Sequence, residues 1–155
     1  YIDVLYPFEP TTGERFENVN NASPILHLTQ GPFKVLLSGD AEEEVEAEVL
    51  SHSKVLPFLK ADLMKAGHHG SRTSNTEPFL RAVDPQVLAI SAGVGNSYGH
   101  PHPETLEKAL RLGIEVLRTD TQGRLSFVFE EKPPHMAWMR SMLAPRLRSL
   151  ASNSS

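Results

Sequence analysis

Asp62-Leu63-Met64-Lys65-Ala66-Gly67-His68-His69-Gly70-Ser71 is the stretch that decides the fold class of this chain. A short apolar run reads as a buried strand, and it empties into a glycine-framed turn carrying two adjacent histidines. The same arrangement occurs twice more. Phe33-Lys34-Val35-Leu36-Leu37 runs into Ser38-Gly39-Asp40, and Val87-Leu88-Ala89-Ile90 leads through Gly93 and Gly95 to Gly99-His100-Pro101-His102-Pro103. A helix-favouring stretch follows each turn. From Ala41 to about Leu50, the residues Val45, Val49 and Leu50 make an apolar stripe. Ser74 and Glu77 have the spacing of a capping box ahead of Phe79, Leu80, Ala82 and Val83. Pro103 opens a helix through Leu106, Ala109 and Leu110 that Gly113 stops. Strands alternating with helices predict a layered α/β domain, and strand-to-helix turns are where such folds concentrate chemistry.

Working outward, Ile25-Leu26-His27-Leu28 and Phe33 to Leu37 flank Thr29-Gln30-Gly31-Pro32, which reads as a hairpin. Val116 and Leu117 lead to a turn at Thr119-Asp120-Thr121-Gln122-Gly123, after which Leu125, Phe127 and Phe129 alternate as the last strand of a closing hairpin. Beyond Pro133-Pro134 the character changes. Met136, Trp138, Met139, Met142 and Leu143 alternate with Arg140, Arg146 and Arg148 before Ser152-Asn153-Ser154-Ser155. The expected division is a domain over 1–131 and a basic amphipathic tail over 132–155. The tail's apolar face is expected to cover part of the core, with a membrane-surface role as the alternative.

The 155 residues carry a net charge of -4 and no general basic footprint for nucleic acid. Much of the negative charge comes from Glu42, Glu43, Glu44, Glu46 and Glu48 in one helix. With no cysteine, disulfide frameworks and thiolate sites are excluded. No apolar run reaches membrane-spanning length. The chain opens directly on a strand-like Tyr1-Ile2-Asp3-Val4-Leu5, as expected of a fragment.

Carboxylate and imidazole are ligands of divalent metals. Asp40 alone reads as a helix N-cap; its company makes it a metal candidate. On extended backbone, neighbouring side chains point to opposite sides. One of His68 and His69 is therefore expected to ligate while the other packs or supports it, and the sequence leaves open which. In the third turn His100 is the stronger candidate, because His102 before Pro103 reads equally as a helix start. His27, His52 and His135 read as packing or surface residues. Ser71, Arg72, Thr73 and Ser74 form a polar run suited either to phosphate oxygens or to plain loop structure.

Asn20-Asn21-x-Ser23, Leu36-Leu37-Ser38-Gly39-Asp40, Lys65 to Ser71, Tyr98-Gly99-His100-Pro101-His102-Pro103 and Arg118-Thr119-Asp120 followed by Gly123 stand in this order. In that combination the chain, from about Val4 to Phe129, closely resembles the C-terminal metallo-β-lactamase-like domain of the ComEC family. These are the competence proteins that form the DNA-uptake channel of transformable bacteria. The resemblance implies an αββα sandwich, with a divalent metal site, Zn or Mn, at one edge of its sheets. It also implies nuclease or phosphodiesterase action on the DNA strand that is not imported. By position, Asp40 matches an aspartate that ligates and often bridges two metals, and His68 matches a later ligand, with His69 its competitor. His100 matches a histidine beside the site, contacting substrate or a ligand. Ser71, Arg72, His100 and His102 are the expected substrate-side residues.

One departure stands out. The superfamily's His-x-His-x-Asp-His run is absent between Tyr1 and Asp40. By this alignment the chain is about the C-terminal half of its domain, with metal binding weak or absent and the isolated chain inactive. The implied parent is a bacterial inner-membrane protein, of which this is a soluble portion attached to the channel and acting on single-stranded DNA. The contrasting expectation is a non-catalytic module that binds nucleic acid or a partner protein. A lactam-type or thioester hydrolase shares the fold but fits the flanking motifs worse. Without its partner sheet the domain should expose an apolar face, and pairing of two copies across it is expected.

Overall fold

Residues that alternate along a strand must serve two different cores, and here each face of one sheet has its own. The computed structural model describes residues 1–13 and 15–129. The tail expected over 132–155, and with it His135, lies outside the described residues. Strands β1 (Ile2–Tyr6), β2 (Ile25–Gln30), β3 (Phe33–Leu37), β4 (Leu63–Lys65), β5 (Val87–Ile90) and β6 (Glu115–Arg118) lie side by side in chain order. The first three pair antiparallel, and β3 to β6 pair parallel. Parallel neighbours need a crossover. Three helices supply it: α1 (Glu43–Ser51), α2 (Glu77–Val83) and α3 (Pro103–Arg111).

The registers set His27, Leu36, Met64, Leu88 and Val116 in one row across the sheet. Leu36, Met64 and Leu88 join the larger core with Val45 and Val49 of α1, Phe79, Leu80 and Val83 of α2, and Ala109 of α3. Leu63, Val87 and Leu117 point the other way. They pack with Val35 and Ala89 under Leu125, Phe127 and Phe129. Over β1 that second face stays open, with Ile2 68% and Val4 61% exposed. The result is an α/β layer: a mixed six-stranded sheet, three crossover helices on one face and a short extended cover on part of the other.

Several expectations are corrected. Leu125, Phe127 and Phe129 pack partly buried on the sheet but join no ladder, so the closing hairpin is absent among the described residues. Apolar alternation reports which side is covered, not whether a backbone neighbour is present. The Thr119 turn is instead a four-residue helix, α4 (Thr119–Gln122). Ser74 is not the cap of α2. Its hydroxyl donates to the Ala41 carbonyl, and Thr76 caps by accepting from the Phe79 amide. Leu110 is 78% exposed and outside the buried stripe of α3. Glu46, read as one charge among many on the acidic helix, is fully buried. Its carboxylate accepts from the backbone amides of Asn75 and Thr76 at 2.6 and 2.8 Å, which holds the start of α2 against α1. No helix among the described residues is long and apolar enough to cross a membrane.

Candidate metal centre

The three turns singled out in the sequence meet at the C-terminal ends of β3, β4 and β5. Backbone bonds tie them together: the His68 amide donates to Gly39 O at 3.1 Å, and the His102 amide to Gly70 O at 2.9 Å. Two glycines are required by the close approach. A Cβ on Gly39 would stand 2.7 Å from the Ser23 Cβ, and one on Gly70 would stand 2.8 Å from the Pro101 Cβ. The Asn20-Asn21-x-Ser23 run, whose role the sequence left open, braces the first turn. Ser23 Oγ accepts from the Asp40 amide, Asn21 Oδ1 accepts from the Glu42 amide, and Asn20 Nδ2 donates to Glu42 Oε1.

The backbone carrying the histidine pair is not extended. His68 (φ 45°) and His69 (φ 55°) are both left-handed, and Gly70 follows at 83°. Each left-handed non-glycine residue costs roughly 1–2 kcal/mol, and such strain gathers at functional sites. The curl keeps both rings in one cluster instead of sending them to opposite faces. Their centroids are 6.4 Å apart, and the His68 ring lies 5.5 Å from that of His100.

The surroundings of the two rings differ. His69 Nδ1 lies 2.6 Å from the Ser91 carbonyl oxygen, which can only accept. The ring therefore carries its proton on Nδ1, and in the neutral form Nε2 is a bare lone pair. That nitrogen faces Asp40 Oδ1 at 3.8 Å. Two electron-rich atoms so placed suit a cation between them. Donors sharing one Zn²⁺ at ordinary bond lengths stand roughly 3.3 Å apart. Both side chains are close to half exposed. His68 instead turns Nδ1 to within 3.1 Å of Glu42 Oε1, an ion-pair distance without hydrogen-bond alignment. Burial pushes the Glu42 carboxyl up, but hydrogen bonds from Asn20 and Thr73 and the nearby His68 outweigh it and leave the pKa lowered.

His100 is held by Asn96, whose Oδ1 accepts from the His100 amide and whose Nδ2 donates to the His100 carbonyl. Tyr98 stacks on its ring at 5.9 Å. Burial lowers the His100 pKa, helped by His68, His69 and His102 and opposed by Asp40. Its Nδ1 is buried without a hydrogen bond among the described residues. Lys65, at the end of β4, donates to the carbonyls of Gly39 and Ala66. Burial lowers its pKa, and Asp40 opposes the shift.

The remaining expected residues fall as follows. His102 caps α3, its Nδ1 accepting from the Glu104 amide. The Ser71 hydroxyl is buried against Thr73 Oγ1 at 3.0 Å, and Arg72 is exposed. His27 is buried with Nε2 3.1 Å from the Lys60 carbonyl, and His52 stacks on Phe8. The sequence reading missed Glu42, Lys65, Ser91 and Tyr98. Glu42 stands two residues after Asp40, but it was absorbed into the acidic run. A carbonyl such as that of Ser91 leaves no side-chain signal at all.

Donor number limits what this set can hold. Among the described residues, no three His, Asp or Glu side chains are grouped to bind one metal ion. Asp40 and His69 make a pair, one donor short of the three protein ligands of a catalytic zinc site. The residues present therefore fit part of a metal centre.

No protein-family model matches the chain. Curated relatives do. The chain is 39% identical over 129 residues to ComE operon protein 3 of Bacillus subtilis, a match covering 83% of this chain. It is 34% identical over 108 residues to Competence protein ComA of Neisseria gonorrhoeae, covering 70% of this chain. A third match, 32% identical over 129 residues, is to Recombination protein 2 of Haemophilus influenzae. The chain belongs to the ComEC family. It spans only 16%, 15% and 15% of those three ComEC-family relatives, respectively.

Proposed function

We propose that this chain is about half of a metallo-β-lactamase-like αββα domain. In its complete form the domain is a metal-dependent phosphodiesterase acting on single-stranded DNA during competence. The relatives' names support the connection to competence. The observation that carries the catalytic part is the bare Nε2 of His69 facing Asp40 Oδ1 at 3.8 Å. Asp40 and His69 would hold the metal, and His68, turned toward Glu42, stands next to the pair. The half-open second face of the sheet is the surface a second sheet would cover, and that half would bring the remaining ligands. A bound divalent ion, Zn²⁺ or Mn²⁺, supplies a hydroxide at neutral pH and stabilises charge on phosphate.

The chain's own residues do the rest. Ser91 fixes the tautomer of His69. His100, whose pKa burial lowers, offers a hydrogen-bonding imidazole beside the cluster. Arg72, exposed on the turn after the histidines, meets backbone phosphate. The parent would be a bacterial inner-membrane protein, with this portion lying outside the bilayer and joined to the channel.

The test is a full-length domain assayed on single-stranded DNA. Cleavage should require Zn²⁺ or Mn²⁺, and Asp40→Asn should suppress turnover more than DNA binding, since phosphate contacts elsewhere carry affinity and weaken with salt. Robust cleavage by a metal-stripped Asp40→Asn domain would refute the mechanism. The shortage of donors favours one second reading, a module that binds DNA or a protein without catalysis. Full DNA binding with no metal-dependent cleavage in the complete domain would establish it.

A further inference from the structure

The Arg118-Thr119-Asp120 run belongs to the sequence pattern yet carries no metal-ligating role in the cluster. We propose that Thr119 is a positioning residue that fixes the tautomer of His69 through the segment after β5; its value for catalysis rests on the reading of His69 as a ligand.

Thr119 Oγ1 bonds one residue twice, once as acceptor and once as donor. It accepts from the Ala92 amide at 2.9 Å and donates to the Ala92 carbonyl at 2.8 Å. Ala92 is the neighbour of Ser91, whose carbonyl meets His69 Nδ1 at 2.6 Å. Without this clasp, two backbone groups just past the end of β5 lose their partners, and the Ser91 carbonyl is free to rotate. The flanking residues explain why the motif has three positions. Arg118 grips Asp120 as a fork across Thr119 in sequence, Nε to Oδ1 at 3.0 Å and Nη2 to Oδ2 at 2.6 Å. The Arg118 amide is held in turn by Gln122 Oε1 at 2.6 Å. The fork makes the turn stiff, the stiff turn aims the hydroxyl, and the hydroxyl sets the carbonyl that orients the ring. Supporting hydrogen bonds of this kind change metal affinity by roughly 10- to 100-fold.

Ring-nitrogen NMR shifts of His69 in the 155-residue chain, at a pH where imidazoles are neutral, read the tautomer directly. Zn²⁺ affinity is measured alongside. The wild type should show the proton on Nδ1. Thr119→Val, which keeps the shape and removes the hydroxyl, should give mixed tautomers and weaken Zn²⁺ about tenfold. Thr119→Ser should restore both. Asp120→Asn keeps the hydroxyl but loosens the fork, and should shift the tautomer in the same direction by less. It serves as the deciding variant if Thr119→Val does not fold. A wild-type His69 signature in folded Thr119→Val, or in Asp120→Asn where the valine variant is unfolded, would overturn the proposal. If no variant binds Zn²⁺ while the tautomer moves as stated, the positioning role stands and the ligand reading falls.

Discussion

Replacing Gly70 by alanine separates two costs that the site imposes on its backbone. Gly70 has φ +83°, and an added Cβ would lie 2.8 Å from the Pro101 Cβ and 3.2 Å from the Pro101 Cα. Gly113, after α3, has nearly the same conformation, φ +71°, with nothing within 4 Å of its Cβ position. Both alanine variants meet the left-handed penalty of about 1–2 kcal/mol. Both also lose unfolded-state entropy, which cancels in the comparison. Only Gly70→Ala adds overpacking, worth about 1–3 kcal/mol because Pro101 is a ring on backbone and cannot swing away. Gly113→Ala should thus cost about 1–2 kcal/mol and Gly70→Ala about 2–5 kcal/mol. At about 2–4 °C per kcal/mol for a chain of this size, the two Tm values should differ by roughly 2–12 °C. Thermal unfolding followed by circular dichroism measures both. Gly70→Ala should also weaken Zn²⁺ binding, since Gly70 follows His69 directly and a shift of its backbone moves that ring away from Asp40. Equal Tm values for the two variants would refute the close approach of the two turns and the site geometry built on it.

Calorimetric titration of the chain with Zn²⁺ or Mn²⁺ should show weak binding that Asp40→Ala and His69→Ala each abolish and that His68→Ala, beside the pair, reduces, whereas His27→Ala and His52→Ala leave it unchanged. Equal binding by all five variants would remove the site. Burial raises the Glu46 pKa above its ordinary 4.5, against hydrogen bonds from Thr76 and Asn75 and the charge of Lys108. The folded state then holds a proton that the unfolded state has released, so stability should fall as pH rises from 4.5 toward the folded value. Glu46→Gln should flatten that slope in denaturant titrations across the range, and an unchanged slope would assign it to another group. Sedimentation equilibrium should show the chain self-associating through its open sheet face. Ile2→Asp combined with Val4→Asp should shift it toward monomer, and a wild-type monomer at high concentration would show the face to be covered.

Most of the layer was legible because β3, β4 and β5 are short and mostly apolar, with glycine or proline close by. Val87–Ile90 and the start of α3 at Pro103 follow directly from the sequence. The segment from Leu125 to Phe129 was misread because a covering chain and a paired strand need the same alternation. The convergence of Asp40, His68, His69 and His100 was legible as three turns of one kind. Which histidine faces Asp40 was not. That is decided by left-handed backbone at both positions and by the Ser91 carbonyl, and neither leaves a mark in residue type.

The strand order carries a consequence for how the cluster comes into being. Val35 pairs with Leu63, Leu63 with Val87 and Val87 with Glu115, so the parallel part of the sheet grows by successive steps of similar length. Each new strand docks beside the one made just before it, and contacts of such modest separation close quickly. As the chain emerges during synthesis, Asp40 is placed first, the histidine pair second and His100 third. The Thr119 latch arrives only with the last strand. Until β6 has docked, the residues of the cluster stand without the Thr119 bonds that hold the Ala92 backbone next to Ser91.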